Sequence, residues 1–175
     1  MKKYIATGWT VNDSDQNTKL LNHFSDPHHQ LAQIKAGSWC HSTVWSSESE
    51  IVVHYSADDI ALTLCGRPTI KSSQSDSYEA VANEQQLNTL VKSYRTHGYN
   101  FLKDINGSFS VSLFDARNNV SLLAVDRMGI EQMHYACISG ALYFSTSLKS
   151  LSNIPGVPKN VLPQSIYNYF YFHCA

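Results

Sequence analysis

Cys65, Gly66 and Arg67 stand together in the stretch TLCGRPTI. A thiol becomes a nucleophile when a nearby cation lowers its pKa, and Arg67 is the obvious cation. If a strand runs on through Gly66, Cys65 and Arg67 share a face. Otherwise Cys65 is a small buried hydrophobe. Cys40, Cys137 and Cys174 lie far from it and from one another, and no CxxC pair occurs. That distribution implies reduced thiols, a cytoplasmic protein and no zinc site. The pair His28–His29, and Cys40–His41 with His54, lack ligand spacing and read as surface or core side chains.

The chain must hold such residues in a packed body. Of its 175 residues, 43% are hydrophobic and 15% charged, a globular composition. Thirteen basic against 14 acidic residues give a formal charge of -1. No basic run occurs, so no nucleic-acid partner is expected. No apolar run reaches membrane length. The opening MKKYIATGWT is a strand rather than a signal peptide, because Thr7 and Gly8 interrupt its apolar stretch.

Element signals follow along the chain. SDPHHQLAQIKAG has helix punctuation: Asp26 to cap, Pro27 in the first turn, Gly37 to stop. SWCHSTVWSS, EIVVHYS and DIALTLCG are short, β-branched or aromatic, and bounded by polar turns. In NEQQLNTLVKSYRTHG, Leu87, Leu90, Val91 and Tyr94 fall on one helical face, with Asn83 as cap and Gly98 as stop. NFLKDIN adds a helical turn. GSFSVSLFD alternates: Phe109, Val111 and Leu113 point one way, Ser108, Ser110 and Ser112 the other. ARNN and Ser139–Gly140 are hairpin turns. PQSIYNYFYF predicts a last amphipathic helix. These elements imply an α+β fold, with stacked antiparallel sheets and helices outside.

From Leu90 to Leu151 the chain resembles a known family. The matching runs are YRTHGYNFLKDINGSFSVSLFD, AVDRMGIEQMHYA and GALYFSTSLKSL. They resemble the N-terminal glutaminase domain of asparagine synthetases and the related β-lactam synthetases. These are class II glutamine amidotransferases with the N-terminal-nucleophile (Ntn) hydrolase fold. The resemblance implies a four-layer αββα sandwich over residues 1–160. Residues 161–175 would then be a linker or helix leading toward a synthetase domain. Because VPKNVLPQSIYNYFYFHC looks like that link, the chain reads as an excised piece. The partner would be that C-terminal synthetase domain, where ATP and Mg are expected; this chain itself would need no cofactor. A homodimer is left open.

The resemblance also sets a chemical standard. The family attacks glutamine with a terminal cysteine whose own α-amino group is the base. Aligning Gly8 with the family's early strand glycine puts Tyr4 at that position, and an internal phenol lacks the free amine. Cys65, Gly66 and Arg67 stand where an Asn-Gly-Glu stretch would help hold the oxyanion. Gln86 replaces the Asp that binds the substrate ammonium. No Arg precedes Arg67, so the carboxylate partner is missing, and the strand-ending Arg-Asp pair becomes Val125–Asp126. A degenerate domain without glutaminase activity is therefore expected, structural or regulatory in a larger amide-forming enzyme. Cys65, Gly66, Arg67 and Gln86 would line its vestigial pocket. Two other readings stay open. One is a free-standing domain whose remodelled pocket takes another small molecule. The other is an amidohydrolase exposed by cleavage before Thr7. The aromatic residues Tyr167, Tyr169, Phe170, Tyr171 and Phe172 would contact the synthetase domain or fold onto their own core.

Overall fold

The computed structural model describes residues 6–24, 29–36, 39–46, 52–57, 59–71 and 77–172. Two antiparallel sheets lie face to face. The first runs, in order, β2 (His29–Ala36), β3 (Trp39–Ser46), β1 (Ala6–Val11), β10 (Ala141–Ser145) and β9 (His134–Ile138). The second runs β4 (Val52–Ala57), β5 (Ile60–Lys71), β7 (Ile105–Asp115) and β8 (Val120–Val125), with β6 (Tyr78–Ala80) paired to the far half of β5. Helices α1 (Ser14–Phe24) and α3 (Leu148–Ser152) cover the first sheet, and α2 (Glu84–His97) covers the second. This is the expected αββα sandwich.

Strand alternation divides the side chains among the layers. All six residues of β1 are buried, because both of its faces are covered. Trp9 and Val11 pack outward with Leu20, Tyr143 and Leu151. Ala6 packs inward with Trp45 and Cys65. On β7, Phe109, Val111 and Leu113 face α2, as the alternation predicts. Ser110 and Ser112 turn into the space between the sheets and are buried there.

The helix α2 follows its sequence signals. Leu87, Leu90, Val91 and Tyr94 are buried against Ile60, Leu62, Leu64, Val111 and Leu113. Asn83 accepts the Gln86 N–H at 3.0 Å. Gly98 ends the helix at φ 57°, its N–H donating to the Tyr94 carbonyl. A 3₁₀ segment, Gly98–Asp104, leads into β7 and buries Phe101.

One element is corrected. The helix expected from Asp26 to Gly37 is instead strand β2, which pairs with β3 along all eight of its residues. Ala32 and Ile34 face the second sheet while Leu31, Gln33 and Lys35 are exposed, a period of two. Asp26, Pro27, His28 and Gly37 lie outside the described residues. A helix that the sequence reading did not assign, α1, precedes it. Its start is marked by Asp13, whose carboxylate accepts the Asp15 N–H at 2.8 Å. Near the C-terminus, α4 (Pro163–Phe172) forms where expected. Its Ile166, Tyr167, Tyr169, Phe170 and Tyr171 are exposed rather than folded onto the core.

Candidate functional site

Strand β5 runs unbroken through Gly66 and pairs with β7 from Ile60 to Ile70. The condition for Cys65 and Arg67 to share a face is therefore met. They do not share a pocket. Cys65 is 1% exposed and sealed against Ala6 and Trp45, while Arg67 stands in the open. Gly66 lies between them at φ 107°. A Cβ there would fall 2.5 Å from the Ser108 carbonyl oxygen and 2.9 Å from Glu131 Cγ. Only glycine fits both the dihedral and the space.

Gln86 belongs to a helix start. Its Oε1 accepts the Ala82 N–H and its Nε2 donates to the Ala80 carbonyl, both at 2.8 Å. Asn83 Oδ1 accepts the Gln86 N–H in turn, so bonds run in both directions across the helix start. Both amide atoms are thus committed to backbone. Thr7 lies on the outer face of β1, the side of Trp9 and Val11. It is buried, and its Oγ1 lies 2.8 Å from Ser145 Oγ. Gly8, on the inner face, sits beneath the Phe144 ring, and a Cβ there would lie 2.3 Å from Phe144 Cζ. Tyr4 and Cys174 lie outside the described residues.

Among the described residues, the layer between the sheets holds two histidines, His41 and His54. The His41 ring stacks on Phe114 with centroids 4.9 Å apart and 4° between planes, and its Nδ1 lies 2.9 Å from Thr10 Oγ1. Burial, helped by the charge of His54, drives its pKa down to about 3. His54 stacks on Trp45 at 4.8 Å and bonds Thr63 Oγ1 through Nδ1 at 2.8 Å. Burial lowers its pKa to about 4. Both rings are therefore neutral at neutral pH, and neither is set up as a cation for Cys65. Among the described residues, His54 Nε2 and Ser110 Oγ are buried without a hydrogen-bond partner. Among the described residues no cluster of three or more His, Cys, Asp or Glu side chains is placed to hold a metal ion. Nor is any helix among them long and apolar enough to cross a membrane.

Arg67 instead lines a groove of about 840 Å³ at the end of the second sheet. The groove lies between the 3₁₀ segment, the start of β7 and the turn after β8. Asp126 anchors that turn. Its buried carboxylate accepts the backbone N–H groups of Phe109, Met128, Ile130 and Glu131, at 2.8–3.3 Å. Burial pushes its pKa up, but these four bonds pull it down and prevail, leaving it below the usual carboxylate range. In the sequence Asp126 stands in the matching run AVDRMGIEQMHYA and as half of the broken Val125–Asp126 pair, and neither signal assigns its carboxylate to anchoring the turn.

A family described as the glutamine amidotransferase domain matches residues 69–175, more than half of the 175 residues. The glutamine-hydrolyzing asparagine synthetase 2 of Bacillus subtilis (strain 168) is 34% identical over 70 residues, 40% of this chain and 9% of that protein. Asparagine synthetase 1 of Lotus japonicus, also glutamine-hydrolyzing, is 31% identical over 61 residues, covering 34% and 10% respectively. Amidase chyE of Penicillium rubens is 31% identical over 61 residues, covering 35% and 9%. The matched segments thus span 9–10% of the length of these relatives. In fold, the chain is similar to the glutamine phosphoribosylpyrophosphate amidotransferase of B. subtilis, solved with ADP and GMP. The TM-score is 0.50 at 9% identity, over 86% of this chain and 43% of that one. Two stacked sheets, the helix-to-strand order around Gly107 and a match over residues 69–175 agree: the chain belongs to the glutamine amidotransferase domain family and is related to the asparagine synthetases.

Proposed function

We propose that this domain keeps the amidotransferase scaffold without its glutaminase chemistry. It would serve as the N-terminal structural or regulatory domain of an asparagine-synthetase-like, ATP-dependent amide-forming enzyme. One observation carries the reading: Cys65, Arg67 and Gln86 do not converge. Cys65 is sealed, Gln86 is spent on capping, and Arg67 points its charge into a separate groove. Recognising free glutamine requires a cation for its carboxylate and an anion for its ammonium. Losing either partner of a desolvated charge costs about 2–5 kcal/mol. The sequence supplies Tyr4 where a terminal cysteine is needed. The uncovered aromatic face of α4 supports a partner domain, since Tyr167, Tyr169, Phe170 and Tyr171 are 49–71% exposed.

The test is glutamate release from glutamine by the purified chain, with near-UV circular dichroism confirming a folded sample. Background rates are expected at every protein concentration. Turnover that scales with protein would overturn the reading. Intact-mass measurement on the same sample is expected to show no chain beginning at Thr7; such a species, with turnover, would establish the amidohydrolase alternative.

A further inference from the structure

The groove at the end of the second sheet combines three properties that seldom coincide on a solvated surface. Its charge has one dominant sign. Arg67, Lys103 and Arg127 line it and are exposed, and no ion pair engages them among the described residues. The single acid in its lining is Asp126, whose carboxylate is already saturated by backbone N–H groups. Its walls are apolar and unusually bare, with Met128 at 83% and Ile130 at 63% exposure. Its frame is rigid. Asp126 pins the turn that carries Arg127, Met128 and Ile130, and the adjoining β5–β7 pair approaches closely at two glycines, Gly107 in the lining and Gly66 next to Arg67. Gly66 and Gly107 both have positive φ, and a Cβ on either would lie 2.5 Å from a carbonyl oxygen of the opposite strand.

An exposed apolar pair on a fixed turn costs solvation unless something covers it. Guanidinium groups are suited to carboxylate and phosphate oxygens, which they grip in a bidentate fork. At about 840 Å³ the space falls within the range of about 300–1,000 Å³ common to small-molecule sites. We propose that this groove binds a small amphipathic anion, with an aromatic or branched apolar body against Met128 and Ile130 and a carboxylate or phosphate held by Arg67, Lys103 and Arg127. The site is distinct from the sealed inter-sheet position of Cys65. It does not depend on whether glutaminase activity has been lost.

The test uses 1-naphthyl phosphate and 1-naphthoate as probes, with uncharged 1-naphthalenemethanol as control. Affinity is measured by calorimetry and the site by amide shift mapping. At least one anion is expected to bind one-to-one, about tenfold tighter than the control. The shifts should centre on residues 103–109 and 126–130. Arg67→Ala and Arg127→Ala should each weaken binding about fivefold or more, and Arg127→Lys less. These side chains are exposed, so the variants should remain folded; near-UV spectra check this. Preference for the phosphate or the carboxylate probe identifies the anion class. Absence of saturable binding, equal affinity for the neutral control, indifference to both Arg variants, or shifts confined to α4 would each overturn the proposal.

Discussion

A single carboxylate organises the end of the second sheet. Asp126 accepts four backbone N–H groups, three of them from the turn that follows it. An asparagine there has one acceptor oxygen and presents an NH₂ to donors. Asp126→Asn should therefore cost about 3 kcal/mol or more, since a hydrogen bond to a charged group contributes about 1.5–3 kcal/mol. Urea denaturation measures it, and faster amide exchange at Met128 and Ile130 would locate the damage in the turn. A loss below about 0.5 kcal/mol, the scale of an ordinary surface substitution, would contradict the anchoring role. The other site residues show why a sequence yields roles unevenly. The close approach at Gly66 belongs to the β5–β7 strand pair, and a lone glycine in the sequence carries no record of its neighbour. Gln86 read as a substituted ligand because the family comparison fixed on its position. Its local bonds to Ala80 and Ala82 belong to the NEQQ helix start.

The elements that the sequence made legible are those whose signals were redundant. In α2 the apolar spacing, the Asn83 cap and the Gly98 stop agree, and all three hold. Asn83→Ala should cost about 1 kcal/mol of global stability, the usual loss of a helix N-cap. It also frees Gln86, so thermal unfolding should drop by a few degrees; an unchanged melting temperature would mean the cap contributes nothing. In β2 the signals disagreed. Leu, Ala, Gln and Lys favour a helix locally, yet pairing with β3 decides the outcome, because a strand there places Ala32 and Ile34 in the inter-sheet layer. Tertiary pairing is non-local information, and no window of the sequence contains it. The missed α1 is the converse case. Asn17, Leu20, Leu21 and Phe24 have helical spacing, but the run is polar enough to pass for a loop. Its buried Asn17 accepts from both Trp9 Nε1 and Ser42 Oγ, bonds that only the folded sheet supplies.

At the scale of the whole molecule, the two sheets are joined through a layer that is aromatic and polar rather than purely aliphatic. His41 and His54 occupy it in neutral form, with pKa values of about 3 and about 4 in place of the ordinary 6.5. The folded state therefore holds fewer protons than the unfolded chain between those values. Stability is fully present above pH about 6.5 and falls as pH drops through that window, by up to about 1.4 kcal/mol per pH unit for each histidine. Asp115 and Asp126 act in a lower window. Their pKa values are held below the usual carboxylate range, and their contributions are lost only as pH falls below about 4. The histidines thus predict a decline between pH 6.5 and 4.5 that the carboxylates do not produce. His41→Phe keeps a ring between Phe114 and Phe144 while removing one titration. It should lower stability at pH 7, because Thr10 and Thr43 lose a ring nitrogen partner, and yet flatten the pH dependence by about half, one of two histidines being removed. Urea midpoints measured at pH 7, 6 and 5 for both proteins decide it. Equal slopes would place the acid sensitivity elsewhere, and a native chain whose stability is constant from pH 7 to 5 would show that neither ring is buried in neutral form between the sheets.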